Sequence, residues 1–255
     1  SEFALSCGGK GANQAVAAAR DGVRVALVGA VGDDDAGGRQ GAALDGAGVD
    51  TRWLRRLTGV PTGTAFIQVD SRGENTIVVV QGANAHVTLP VGDVEPRVVV
   101  TQNEIPAAAQ QEAVALAART GARLVINAAP APESPPPWYG TADPLVVNEH
   151  EAAQLATLDE TGAGLLRQLR ERTGARSVVM TLGERGALVD DGTEVHAIPP
   201  VVVEQVVDAT GAGDTFVGVL AARLARGNDV VAAASAANRC AAKAVTWPGA
   251  RPPAG

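Results

Sequence analysis

Cysteine and aromatic residues are scarce in this chain. Its two cysteines, Cys7 and Cys240, are too few and too far apart for the disulfide framework of a small secreted domain. We therefore expect a reduced, cytoplasmic location. Aromatic residues make up only 3% of the sequence although hydrophobic residues make up 46%, so the core must be built from Ala, Val and Leu. A chain of 255 residues with this composition is long enough for one well-buried domain.

Basic clusters and long apolar runs are also missing. The formal net charge is −7 and no block of Lys and Arg occurs, which excludes the charge pattern of a nucleic-acid-binding protein. Charged residues or glycines interrupt every apolar stretch before it is long enough to cross a bilayer, so no membrane partner is expected. The histidines lie far from one another and from partner cysteines, which argues against a zinc site.

Short apolar runs alternate with helical patterns along most of the chain. Buried strands are predicted at 23–31, 98–100, 124–126, 145–147 and 177–180, and helices at 10–20, 106–119, 149–157 and 161–174. This alternation predicts an α/β fold with a mainly parallel central sheet flanked by helices on both faces. Ligands bind beyond the carboxyl ends of the strands in such sheets. Asn148 and Thr181 directly follow two of these strands and are expected at that edge.

The run VDATGAGDTF, residues 207–216, places small residues and a carboxylate at the start of an apolar helix. Glycines at 211 and 213 let backbone amides approach an anion closely, and a helix N-terminus favours negative charge. Asp214 follows these amides, where a carboxylate could take a proton from an attacking hydroxyl. The alternative is a glycine-rich turn with a capping aspartate. The P-loop pattern Gly-x-x-x-x-Gly-Lys-Ser/Thr does not occur.

Four motifs, in this order along the chain, resemble those of the ribokinases, within the wider family of PfkB-type carbohydrate kinases. They are the sugar-contacting signature CGGKGANQAVAAAR at 7–20, the Asn-x-x-Glu motif NEHE at 148–151, the nucleotide-site loop TLGERG at 181–186 and the second signature DATGAGD at 208–214. The resemblance covers essentially the whole chain. It implies one ribokinase-like domain over residues 1–255 that phosphorylates D-ribose to D-ribose 5-phosphate with ATP. Another sugar kinase of this family, acting on deoxyribose or fructose, and a non-catalytic sugar-binding relative are the alternatives.

The resemblance also implies roles for individual residues. Asp214 is implied to be the general base, beside an anion hole formed by Gly211, Ala212 and Gly213. Sugar contacts are implied for Gly9, Lys10, Asn13, Glu104 and Asp214, and nucleotide contacts for Asn148, Thr181, Gly183, Gly186 and Asn238. The alternatives are a surface lysine at 10, a solvated glutamate at 104 and a simple turn at 181–186.

Two metal ions are implied as cofactors. Glu151 would hold Mg²⁺ through water, because Mg²⁺ takes few protein ligands and keeps several waters. The alternative is a helix cap formed by Asn148 and Glu151. An activating K⁺ would lie beside the anion hole, held by Asp208, Thr210, Ala244, Trp247 and Gly249. Ala209 and Pro253 depart from the family pattern in this region.

Residues 62–82 interrupt the alternation of strands and helices and predict a β-hairpin. The hairpin either extends an edge of the main sheet or, as the resemblance implies, forms a small β lid with a strand at about 1–8. An unpaired apolar edge favours a homodimer through the lid strands. The resemblance further implies an N-terminal portion that carries a sheet strand and a sugar-binding aspartate. We expect this portion to be missing from the chain.

Overall fold

The computed structural model describes residues 5–69, 75–89, 92, 94–156 and 160–251. Its helices are α1 Lys10–Arg20, α2 Asp35–Gly46, α3 Ala107–Thr120, α4 Glu149–Ala156, α5 Gly162–Thr173, α6 Ala212–Ala225 and α7 Val230–Ala244. Its strands are β1 Val25–Ala26, β2 Gly29–Gly32, β3 Val49–Asp50, β4 Leu54–Leu57, β5 Thr64–Val69, β6 Asn75–Val80, β7 Val98–Gln102, β8 Arg123–Asn127, β9 Leu145–Asn148, β10 Val178–Thr181, β11 Ala187–Asp190 and β12 Val195–Ile198. Among the helices of these ranges, none is both long and apolar enough to cross a membrane.

The central sheet has six strands in the order β12-β11-β10-β9-β8-β7. Strands β7 to β10 are parallel, whereas β11 and β12 join as antiparallel neighbours. The two faces of β8 show why its middle residues, 124–126, are all apolar. Leu124 and Ile126 belong to one core cluster with residues of α3, α4 and α5, and Val125 belongs to a second cluster with residues of α6 and α7. The α/β fold with a mainly parallel sheet covered on both faces is confirmed.

The strand predicted at 23–31 is divided into β1 and β2. Strand β1 pairs with β3, and β2 pairs with β4, in two separate two-stranded parallel sheets. The amides of Leu27 and Gly29 donate to the carbonyls of Asp50 and Trp53, at 3.0 and 3.3 Å. The segment 49–57, with which this apolar run pairs, turns between β3 and β4. The two halves of the run therefore pair with different strands.

The hairpin β5–β6 forms a two-stranded antiparallel sheet of its own, in register from Thr64 opposite Val80 to Val69 opposite Asn75. It therefore does not extend an edge of the main sheet. Phe66, Val78 and Val79 are exposed. The lid strand expected at 1–8 is absent from residues 5–8, which have no regular secondary structure, and residues 1–4 lie outside the described residues.

Helix α6 packs unusually closely on α1 at Gly218. A Cβ atom at this position would lie 2.3 Å from the carbonyl oxygen of Gln14 and 2.7 Å from the Cβ of Ala17. Further along the helix pair, Asp21 accepts a hydrogen bond from Arg223 at 2.6 Å. The absence of a side chain at Gly218 thus sets the separation of the two helices that carry the glycine-rich motifs.

A side chain at position 218 should destabilise the protein. We expect Gly218→Val to lower the free energy of unfolding by about 1–3 kcal/mol, because the added atoms overlap the α1 backbone. Chemical denaturation followed by circular dichroism measures this change. Gly38→Ala in α2 is the control, since a Cβ there meets no atom within 4 Å and alanine favours a helix. An unfolding free energy of Gly218→Val equal to that of the parent would contradict the packing described.

Candidate active site

Asp214 lies in the first turn of α6, whose N-cap is Gly211. Gly211 has φ 76°, and a Cβ on it would lie 2.6 Å from the Cα of Ala250, so glycine is required there. The carboxylate of Asp214 accepts hydrogen bonds from Asn13 Nδ2 at 2.8 Å and from Gln14 Nε2 at 3.0 Å. Both donors come from α1, so the two glycine-rich motifs meet at this carboxylate.

The environment of Asp214 opposes its ionisation in one way and favours it in others. Burial raises the pKa of the Asp214 carboxyl above its ordinary value, whereas the hydrogen bonds from Asn13 and Gln14 and the charges of Lys10 and Arg251 lower it. Burial makes the carboxylate more basic while fixed donors favour its ionised form, and both effects suit a group that accepts a proton.

The segment before Asp214 presents backbone amides at a helix N-terminus. The amide of Ala212 donates to the carbonyl of Ala209 at 3.2 Å, as part of a turn. Gly211 precedes the helix as its N-cap, and Gly213 lies in its first turn, where amides have no partner within a helix. Gly211 and Gly213 are therefore better placed than Ala212 to donate to an anion.

The predicted sugar residues converge on the same place. Gly9 is the N-cap of α1, and its carbonyl accepts the amide of Asn13 at 2.9 Å. Lys10 Nζ lies 3.7 Å from Glu104 Oε1, and Glu104 follows β7 at the carboxyl edge of the sheet. Burial raises the pKa of Glu104, the charge of Lys10 lowers it, and the charge of Asp214 raises it. Glu104 is thus half-buried in the site rather than solvated in a loop.

Three residues in this cluster were not predicted from the sequence: Gln14, Gln102 and Arg251. Gln102 Nε2 donates to Gln14 Oε1 at 2.6 Å. Arg251 donates from Nε to Asn13 Oδ1 at 2.8 Å and from Nη2 to the carbonyl of Gly8 at 3.0 Å. The position of Gln102 at the end of a predicted strand was a usable signal, whereas no pattern in the sequence marks Arg251.

Asn148 and Glu151 form the reciprocal cap that was the alternative to a metal site. The amide of Asn148 donates to Glu151 Oε2, and the amide of Glu151 donates to Asn148 Oδ1, both at 2.8 Å. Burial raises the pKa of Glu151. The cap uses one carboxylate oxygen of Glu151 and leaves Oε1 outside it.

Two of the predicted nucleotide residues, Asn148 and Thr181, end the middle strands β9 and β10 of the central sheet. Thr181 ends β10, and the amide of Leu182 donates to the carbonyl of Gly186 at 2.8 Å, which closes a tight loop. Gly186 has φ 90°, and a Cβ there would lie 2.2 Å from the carbonyl oxygen of Ile198. Asn238 is buried and donates to the carbonyl of Pro199 at 2.9 Å. In this structure the Asn238 amide ties α7 to the segment after β12.

Asp208 joins the two segments predicted to hold a monovalent cation. Its carboxylate accepts the amides of Thr210 and Gly249, each at 2.8 Å, and the amide of Val207 donates to the carbonyl of Val245, also at 2.8 Å. The bond from Thr210 lowers the pKa of Asp208. Pro253 lies outside the described residues, among which no cluster of three or more His, Cys, Asp or Glu side chains is suited to a metal.

Comparison with known proteins places this arrangement among sugar kinases. The chain is 38% identical to the ribokinase of Mus musculus over 237 residues, covering 88% of this chain and 73% of the relative. It is 38% identical to the ribokinase of Bacillus subtilis over 247 residues, covering 93% and 80%. The solved structure of Arabidopsis thaliana ribokinase complexed with ribose and ATP is similar with a TM-score of 0.87 and 28% identity, covering 95% of this chain and 82% of that one.

A family model described as pfkB family carbohydrate kinase matches residues 1–254. The match extends over both glycine-rich motifs and the loops at the carboxyl edge of the sheet. This chain therefore belongs to the pfkB family of carbohydrate kinases.

Proposed function

We propose that this chain catalyses the ATP-dependent phosphorylation of D-ribose to D-ribose 5-phosphate. The observation that carries the proposal is the Asp214 carboxylate, which lies directly after the anion-hole segment and is held by two side chains of α1. Two relatives reported above are named ribokinases, which favours ribose over the deoxyribose and fructose considered as alternatives.

The sugar lies among Gly9, Lys10, Asn13, Glu104 and Asp214. A sugar presents hydroxyl groups that both donate and accept, so it requires donors and acceptors facing one another. Lys10 supplies donors, Glu104 supplies acceptors and Asn13 supplies both. The ion pair of Lys10 with Glu104 brings a donor from α1 and an acceptor from the segment after β7 next to each other.

Asp214 removes the proton of the attacking hydroxyl. The hydroxyl oxygen forms a bond to the γ-phosphorus of ATP, and the bond from that phosphorus to the bridging oxygen breaks, so ADP leaves with the electron pair. The transition state is loose, so the proton passes late and a carboxylate is a sufficient base. The amides of Gly211 and Gly213 donate to the charge that develops on the transferred group.

The nucleotide lies along the loop 181–186 and beside Asn148 and Asn238, where the middle strands β9 and β10 end. Mg²⁺ suits Glu151, because the cap leaves one oxygen of a half-buried carboxylate to accept a hydrogen bond from a metal-bound water. When bound, Mg²⁺ neutralises charge on the phosphates of ATP. The cap also limits the orientations that the Glu151 carboxylate can adopt.

K⁺ suits the loops joined by Asp208, since Thr210, Ala244, Trp247 and Gly249 supply carbonyl oxygens and Asp208 a carboxylate. Its role is to stiffen the segment that precedes the anion hole. Asp208 already ties Thr210 to Gly249, and Ala250 packs against Gly211. A cation among these groups would therefore fix the position of the donors at 211–213.

The hairpin β5–β6 is the lid of the sugar site and the contact between two copies of the chain. Its exposed Phe66, Val78 and Val79 give it an apolar surface that a second copy would cover. We expect light scattering of the purified chain to give a molar mass twice that of the monomer.

The cytoplasmic location stays a prediction from the two isolated cysteines.

Removal of the base should abolish turnover without abolishing binding. We expect Asp214→Asn to lower kcat by about 10²- to 10⁴-fold, because the amide keeps the shape of the carboxylate but does not accept the proton. ADP release in a coupled assay with ribose measures turnover, and calorimetry measures ribose and ATP binding. Asp229→Asn at the N-cap of α7 is the control, since asparagine also caps a helix. Turnover of Asp214→Asn within tenfold of the parent would rule out Asp214 as the essential base.

Exchange of potassium for sodium should lower turnover, because the smaller ion fits a carbonyl cage built for K⁺ poorly. Asp208→Ala should cause a similar loss and make the remaining activity indifferent to K⁺. Steady-state rates in matched KCl and NaCl buffers measure both effects. Asp191→Ala is the control, because Asp191 holds a different turn, at 193–194. Equal rates of the parent in both salts would show that Asp208 is only a turn residue.

A further inference from the structure

Gln14, one of the two side-chain amides that donate to Asp214, is nearly inaccessible, with 3% of its surface exposed. A buried amide is costly unless both its donor and its acceptor ends are paired. Its Nε2 donates to Asp214 Oδ1 at 3.0 Å, and its Oε1 accepts from Gln102 Nε2 at 2.6 Å. Gln14 therefore connects the carboxylate on α6 to the end of strand β7.

The direction of these bonds follows from the chemistry of the groups. An ionised carboxylate only accepts, so Gln14 must turn Nε2 towards Asp214 and leave Oε1 on the other side. Gln102 satisfies that oxygen, and it is buried as well. A Cβ at Gly11 would lie 3.2 Å from Gln102 Oε1, so glycine in the first turn of α1 leaves room for the Gln102 side chain.

We propose that Gln14 and Gln102 are positioning residues, which hold the Asp214 carboxylate in the orientation that it needs as the catalytic base. Gln14 contacts the base directly, and Gln102 acts through Gln14. The inference rests on the proposed function, because it assigns these glutamines to the base of that reaction. The anchor is rigid, since Gln102 is the last residue of a strand in the central sheet.

The charges that face Asp214 come from three other elements. Lys10 on α1 and Arg251 after α7 favour its ionised form, and Glu104 after β7 is a like charge in the same site. Loss of the Gln14 donor leaves these charges in place. It removes one of the two hydrogen bonds that offset burial, so the pKa of Asp214 rises and the ionised base is lost at higher pH than in the parent.

The test compares Gln14→Met, Gln102→Met and the double variant, since methionine matches glutamine in size without hydrogen bonding. We expect each single variant to lower kcat roughly ten- to hundredfold at neutral pH and to move the acid limb of kcat/KM for ribose to higher pH. The double variant should match Gln14→Met alone, because Gln102 acts only through Gln14. Gln110→Met, another buried glutamine, which donates to the carbonyl of Ile105, is the control and should behave as the parent.

A second measurement separates this inference from the proposed function. ¹³C NMR of the chain labelled at aspartate carboxyls follows the titration of Asp214, assigned by its loss in Asp214→Asn, whether or not ribose is the substrate. The pKa of Asp214 should be higher in both single variants than in the parent. An unchanged Asp214 titration in Gln102→Met, or losses of activity that simply add in the double variant, would overturn the inference. If the parent phosphorylates no sugar but the titration of Asp214 is shifted in the two single variants, the result would contradict the proposed function only.

Discussion

The contact between α1 and α6 is the constraint on which the rest of the site depends. Gly218 lets the backbones of the two helices approach so closely that a single methyl group would overlap the carbonyl of Gln14. This separation brings the amides of Asn13 and Gln14 within hydrogen-bond distance of Asp214, across 201 and 200 residues of sequence. A partly buried carboxylate is stable as an ion only when donors of this kind are fixed in place.

The residues proposed to bind the sugar and the nucleotide follow different strands along one edge of the central sheet. Glu104 and Gln102 lie at the end of β7, at one side of the six-stranded sheet, whereas Thr181 and the loop that follows it lie towards the side of β12. Helix α6 packs against β7 and β8 and carries Asp214 in its first turn. This geometry suits the proposed transfer of a group from a nucleotide near the middle strands to a sugar beside β7.

Much of this arrangement could be predicted from the sequence, because apolar runs and glycine-rich turns are local signals. The strands around Leu124–Ile126 and Leu145–Val147, the hairpin at 64–80 and the start of α6 before Asp214 are examples. The division of the strand at 23–31 could not be predicted, because it depends on where the partner segment turns. The bonds from Gln102 to Gln14 and from Arg251 to Asn13 depend on side chains that meet only in the folded chain. Asn148 and Glu151 show a further limit of prediction from the sequence. The same Asn-x-x-Glu spacing is compatible with a helix cap and with a metal site, so spacing alone does not separate the two.

The identity of the phosphorylated product tests the central claim most directly, namely that Asp214, held by α1, activates a ribose hydroxyl towards ATP. The purified chain would be incubated with ATP, Mg²⁺, K⁺ and ribose, with deoxyribose and fructose in parallel, and followed by ³¹P NMR. The account predicts that ATP is converted to ADP as a phosphomonoester forms on C5 of ribose, and that Asp214→Asn forms none. ATP that stays intact with ribose, or a phosphate on a different hydroxyl, would contradict it.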